Sequence, residues 1–251
     1  MYGLTGVLEL APAISAGLLC IVNSPFSAFP KRIDTISRAV NLLGTQAIND
    51  LVTATTVGRT FAGMPIQVMD VSMFWRKSVL CALLAGKIAK SCGLEDSERF
   101  FIAGLLRDIG HLVLYQTIPR RAQSALIEAG YLETSLAEVE QSSIGCDFVE
   151  VGAELIRSWG MPLQIEQAIR CQLSPNDAGE FIIHASVVHL AGVVVDYEEL
   201  EPNRRPAALP FTPHAVTATR FVPANLPALL ADASAQLHDT LALIQPHAMA
   251  A

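Results

Sequence analysis

From Val7 to Ile244 the apolar residues recur at helical spacing in one segment after another, and nowhere do they settle into the strict alternation of a half-buried strand. That pattern confines the chain to an all-α architecture. Val7, Ala11, Ile14, Leu18 and Ile21 open the series, which stops at Asn23-Ser24-Pro25 because a residue before proline is pushed out of the helical region. Thr35 is placed to cap a short helix carrying Ile36, Ala39, Val40 and Leu43, closed by Gly44. Thr45 opens another through Ile48, Leu51 and Val52.

A longer helix is expected from Ser72, with Val79, Leu80, Leu83, Leu84 and Ile88 inward and Gly93 as its left-handed terminator. One continuous helix is expected from Ser97 to Thr117, and Pro119 begins the next, ending near Gly130. Ser135 with Glu138, and Asp147 with Glu150, match the capping box, in which two side chains satisfy free amides at a helix start. The helix after Asp147 closes at Trp159-Gly160, Pro162 starts one that reaches Leu173, and Glu180 to Val195 reads as the last core helix. Residues 196–213 hold four prolines and two adjacent arginines, the composition of a loop, before Leu226–Ile244 regains amphipathic spacing. The expected organisation is an N-terminal helical lobe at 1–70, a second helical lobe at 71–195, and at 196–251 a loop with a C-terminal helix packed on the main body.

Composition excludes several function classes. A formal charge of −7 over 251 residues argues against general affinity for nucleic-acid phosphate, which needs clustered Lys and Arg. The helix pair Thr35–Leu43 and Thr45–Val57 has the size of a helix-turn-helix, but its second member carries Asn49 and Asp50 and has no cation before Arg59, so DNA binding stays a minor alternative. The five cysteines, at 20, 81, 92, 146 and 171, include no CxxC pair and fit a reducing cytoplasm rather than a disulfide framework or zinc knuckle. The longest apolar run, Phe181 to Val195, is shorter than the roughly 20 residues that cross a bilayer, so no membrane partner is expected.

Several segments, taken in order, resemble the HDOD family, regulatory relatives of the HD metal-dependent phosphohydrolases. They are IVNSPFSAFPKRIDTISRAVNLLG, FWRKSVLCALLAGKIA, FIAGLLRDIGHLVL, GCDFVEVGAELIRSWGMP and the helix around VVHLAG. The resemblance implies a two-lobed multi-helix bundle. It also implies a further helical segment before Gly6, so the N-terminal lobe is expected to be shortened, which would favour self-association.

In HD hydrolases a histidine, a following His-Asp pair, further histidines and a late aspartate hold a divalent ion that activates water and steadies developing charge. At the matching positions this chain has Lys77 for the first histidine, Arg107-Asp108 for the His-Asp pair, Phe148, then Gln172 and Leu173, and Gly192 for the late acid. Two cations stand where ligands would be, so no catalytic residue, metal or cofactor is expected, and Asp108 is expected to pair with Lys77 or Arg107. The expected function is a non-enzymatic signalling module that binds a protein partner. One alternative stays open: Lys77, Arg107, Asp108 and His111 could form an anion pocket for a phosphate compound such as a cyclic dinucleotide. Residual phosphohydrolase activity is the remaining reading. His111, His184, His189, Cys146, Cys171, Trp75 and Trp159 are expected to serve structure.

Overall fold

The computed structural model describes residues 69–132 and 134–244, together with Gly44, Ile48, Asp50 and Val52. The helices expected before Ile48 and the helix-turn-helix alternative lie almost entirely outside the described residues, although Ile48 and Asp50 are both buried.

The described residues contain α-helices and 3-10 turns and no strand. Helix α1 (Val71–Ser91) starts where the Asp70 carboxylate accepts the amides of Ser72 at 2.8 Å and Met73 at 3.3 Å. It ends before Gly93, whose φ of +69° suits a residue without a Cβ. From Ser78 to Ala89 it is buried without interruption, because other helices cover it on several sides. These are α2 (Ser97–Leu106), α8 (Ile182–Glu199) and α10 (Leu226–Ile244). Lys87, itself buried in this stretch, reaches out to form an ion pair with Asp232 of α10, tying that helix to α1.

The helix expected over Ser97–Thr117 is in fact two. It breaks at Asp108 (φ −101°, ψ 13°), and α3 (Ile109–Thr117) leaves in a new direction. The reason lies two residues further on: Gly110 packs so closely on α6 (Phe148–Ser158) that a Cβ there would overlap the Phe148 carbonyl oxygen.

Helices α4 (Pro119–Leu132) and α5 (Leu136–Ser143) form a hairpin beside α3, with a small core of Ala125, Ala129 and Val139. The capping box at Ser135 does not form. Its side chain makes no cap bond, and Glu138 instead accepts the Thr134 hydroxyl at 2.7 Å. The other box is half realised, since Asp147 accepts the Glu150 amide at 2.8 Å. Helix α7 (Leu163–Arg170) follows Pro162 but stops short of the expected Leu173. A 3-10 segment, Pro175–Phe181, then leads into α8.

Two expectations near the C-terminus need correction. Helix α8 continues past Val195 to Glu199, with Asp196, Glu198 and Glu199 exposed in its last turn. The stretch read as plain loop is followed by a helix, α9 (Pro213–Thr219), which packs back on α8 through buried Ala215. The region Pro175–Glu199 is long and apolar enough to cross a membrane, but 61% of its most apolar window is buried inside the protein. Its hydrophobicity is thus used by the core.

Candidate relic site at the Arg107 hinge

The break between α2 and α3 turns Arg107 inward, toward α8. Its guanidinium donates from Nε to Asp108 at 2.9 Å, and from Nη2 to both carboxylate oxygens of Asp196, at 3.0 and 2.8 Å. Only 8% of the Arg107 side chain is exposed. Burial opposes its charge, but the two carboxylates outweigh that penalty and hold its pKa above the ordinary arginine value. The expected neutralisation of Asp108 is therefore carried by Arg107 rather than Lys77.

A chain of polar contacts fixes the hinge from behind. Gln172, beyond the end of α7, donates from its side-chain amide to the Arg107 carbonyl at 2.9 Å. The carbonyl of Gln172 in turn lies 2.8 Å from Nδ1 of His189 on α8, and Nε2 of that ring accepts the Thr212 amide at 3.2 Å. With one ring nitrogen donating and the other accepting, His189 is neutral, and burial lowers its pKa accordingly. Cys81 of α1 lies against the same guanidinium. Burial pushes its thiol up to about 12, which makes it an inert core residue.

The four residues singled out from sequence do not form one pocket. Arg107 and Asp108 stand together. Lys77, about a third exposed, pairs instead with Glu199 at 3.6 Å, one turn beyond Asp196. His111 belongs to a different cluster: its ring stacks on Phe148 with centroids 3.9 Å apart and on Tyr115 at 5.6 Å, and its Nδ1 lies 3.6 Å from the fully buried Glu140. Glu140 also accepts the Phe148 amide at 2.9 Å, tying α5 to the start of α6.

Asp196 was missed because the sequence reading ended α8 at Val195. Its signal was a carboxylate seven residues after His189 and four after Gly192, hence on one helical face. Gly192 leaves room rather than chemistry: a Cβ built on it would come within 2.5 Å of Arg107 Nη1. His184 stacks on Phe100 at 5.1 Å, and Trp75 is fully buried, both in the structural roles expected. Cys171 is buried as expected, while Cys146 is only partly so. Among the described residues, no group of three or more His, Cys, Asp or Glu side chains is arranged to hold a metal ion.

The all-helical fold is one shared by HDOD and HD-like helical proteins. A family model for the HDOD domain matches residues 4–175, and the chain belongs to that family. Solved structures share the fold. A candidate phosphohydrolase of Shewanella amazonensis SB2B aligns at 24% identity and a TM-score of 0.70, over 94% of this chain and 86% of its own. An HDOD protein of unknown function from Geobacter sulfurreducens aligns at 18% and 0.66, over 95% and 83%. A candidate signal transduction protein of Marinobacter aquaeolei VT8 aligns at 22% and 0.67, over 96% of this chain and 54% of its own. No curated protein matches.

Proposed function

We propose that this chain is a non-enzymatic signal-transduction module of a bacterial cytoplasm, acting by binding another protein, with a degenerate HD site. The observation that carries the reading is Arg107 between Asp108 and Asp196. A divalent ion bound through these two carboxylates would have to displace a guanidinium that already engages both, and would sit beside its positive charge. The remaining matching positions, Lys77, Phe148, Gln172 and Gly192, supply no imidazole or carboxylate in their place. The Marinobacter structure described as a signal transduction protein agrees with a regulatory role.

The anion-pocket alternative fits less well. Arg107 is flanked by two carboxylates and Lys77 is paired with Glu199, so the local charge disfavours a phosphate. His111 is engaged elsewhere.

The test has two arms on the purified chain. Elemental analysis and hydrolysis of bis(p-nitrophenyl) phosphate with manganese are expected to give no stoichiometric metal and no turnover. Titration with a cyclic dinucleotide is expected to give no heat. Metal-dependent turnover abolished by Asp108→Asn would overturn the reading, as would saturable dinucleotide binding lost in Arg107→Met.

A further inference from the structure

Helix α4 is the least covered helix in the described structure and bears the most concentrated apolar exposure. It buries Ala122, Ala125 and Ala129 against its neighbours, and the opposite face carries Ile127 at 66% and Tyr131 at 86% exposure. Leu126 and Leu132 flank them, also exposed. Residues 120, 124, 127 and 131 follow one another at helical spacing, so they form a continuous stripe down the solvent side. Large apolar side chains grouped in this way on a soluble surface mark a contact surface.

The charges beside the stripe indicate what covers it. Arg120 and Arg121 stand at the N-terminal end of α4 and Glu128 near its C-terminal end, on a flank shared with Arg121. Among the described residues none of the three has an ion-pair partner, and all are exposed. One helix thus carries cations at one end, a carboxylate and an exposed tyrosine at the other, and isoleucine between. Turned end for end, that pattern is complementary to itself, the condition for a two-fold contact in which one patch meets its own copy.

The geometry points to α4 as the homodimer interface of this protein, with a second copy lying antiparallel across it. Arg121 of each protomer then faces Glu128 of the other. Tyr131 lies beside the opposing Arg120, and Ile127 packs over the small side chain of Ser124. Between protomers Ile127 and Tyr131 give the affinity, and the charge pairing fixes the antiparallel direction. This contact is independent of the relic site and of the protein-partner reading above.

Sedimentation velocity over a concentration series tests it. The wild-type chain is expected to form dimers that dissociate on dilution. Ile127→Asp and Tyr131→Asp, both at exposed positions, are expected to weaken the dimer about tenfold or more with the helical circular-dichroism spectrum unchanged. Arg121→Glu is expected to weaken it through Glu128 of the other protomer, and adding Glu128→Arg to restore it. A chain that stays monomeric throughout the series overturns the proposal, whatever else covers α4. So does a dimer indifferent to the Ile127 and Tyr131 changes, or a charge reversal that the second change fails to rescue.

Discussion

The guanidinium of Arg107 occupies the space above Gly192, so closely that an added methyl carbon there would lie 2.5 Å from Nη1. Arginine and glycine are a matched pair: the long side chain crosses from the α2–α3 hinge to α8 only because α8 has no side chain at the crossing point. Beyond it, Asp196 receives the charge.

Gly192→Ala is therefore expected to destabilise the fold by about 1–3 kcal/mol, since Arg107 is anchored by two carboxylates and has little freedom to withdraw. In urea denaturation the loss should be less than additive with Arg107→Met, which removes the group the new methyl strikes. Full additivity would mean that the methyl disturbs something else.

Lys77 and Arg107 should differ sharply in energetic weight. Arg107→Met leaves Asp108, largely buried, without its partner and is expected to cost about 2–4 kcal/mol, less than a fully buried pair because Asp196 is more than half exposed. Lys77→Met breaks a partly exposed contact of 3.6 Å and is expected to cost less than about 1 kcal/mol. Equal losses would argue against the placement of Arg107.

Gly110→Ala is expected to be among the most damaging single changes, at about 3 kcal/mol or more, because the obstacle is the Phe148 backbone oxygen rather than a movable side chain. Gly130→Ala makes the control. Nothing lies near its added carbon, and alanine favours the helix, so a small gain of roughly 0.5–1 kcal/mol is expected.

Acid should loosen the C-terminal half. Burial lowers the pKa of His184 and of His189 in the folded chain, while in the unfolded chain both titrate near the usual value of about 6.5. Just below that value the unfolded state holds more protons, so stability falls as the pH drops from 7.5 toward 5.5. His189→Gln is expected to lower stability by about 1 kcal/mol at pH 7.5 through the lost ring contacts, and to make the pH dependence shallower. An unchanged slope would show that His189 is not the group that titrates.

Much of this was legible in sequence. The apolar periodicity of Val79 to Ile88, the Pro119 and Pro162 starts, the Gly93 stop and the C-terminal helix all came from local rules, and the described helices follow them. Illegible was the break at Asp108, because the apolar pattern runs through it unchanged and the cause is a contact with Phe148, forty residues away. The ion-pair partner Asp196 was hidden for a related reason: charged residues at the end of α8 look like loop until the helix beneath them is seen to continue.

The sequence alone determined that the described residues are helical and where most of those helices begin. These follow from properties of neighbouring residues, such as side-chain period and proline and glycine geometry. Only the tertiary structure decided which carboxylates hold Arg107, why Gly192 has no side chain, and that His111 serves another cluster. Each of those depends on helices far apart in the chain coming within a few ångströms, and no local pattern encodes such distances.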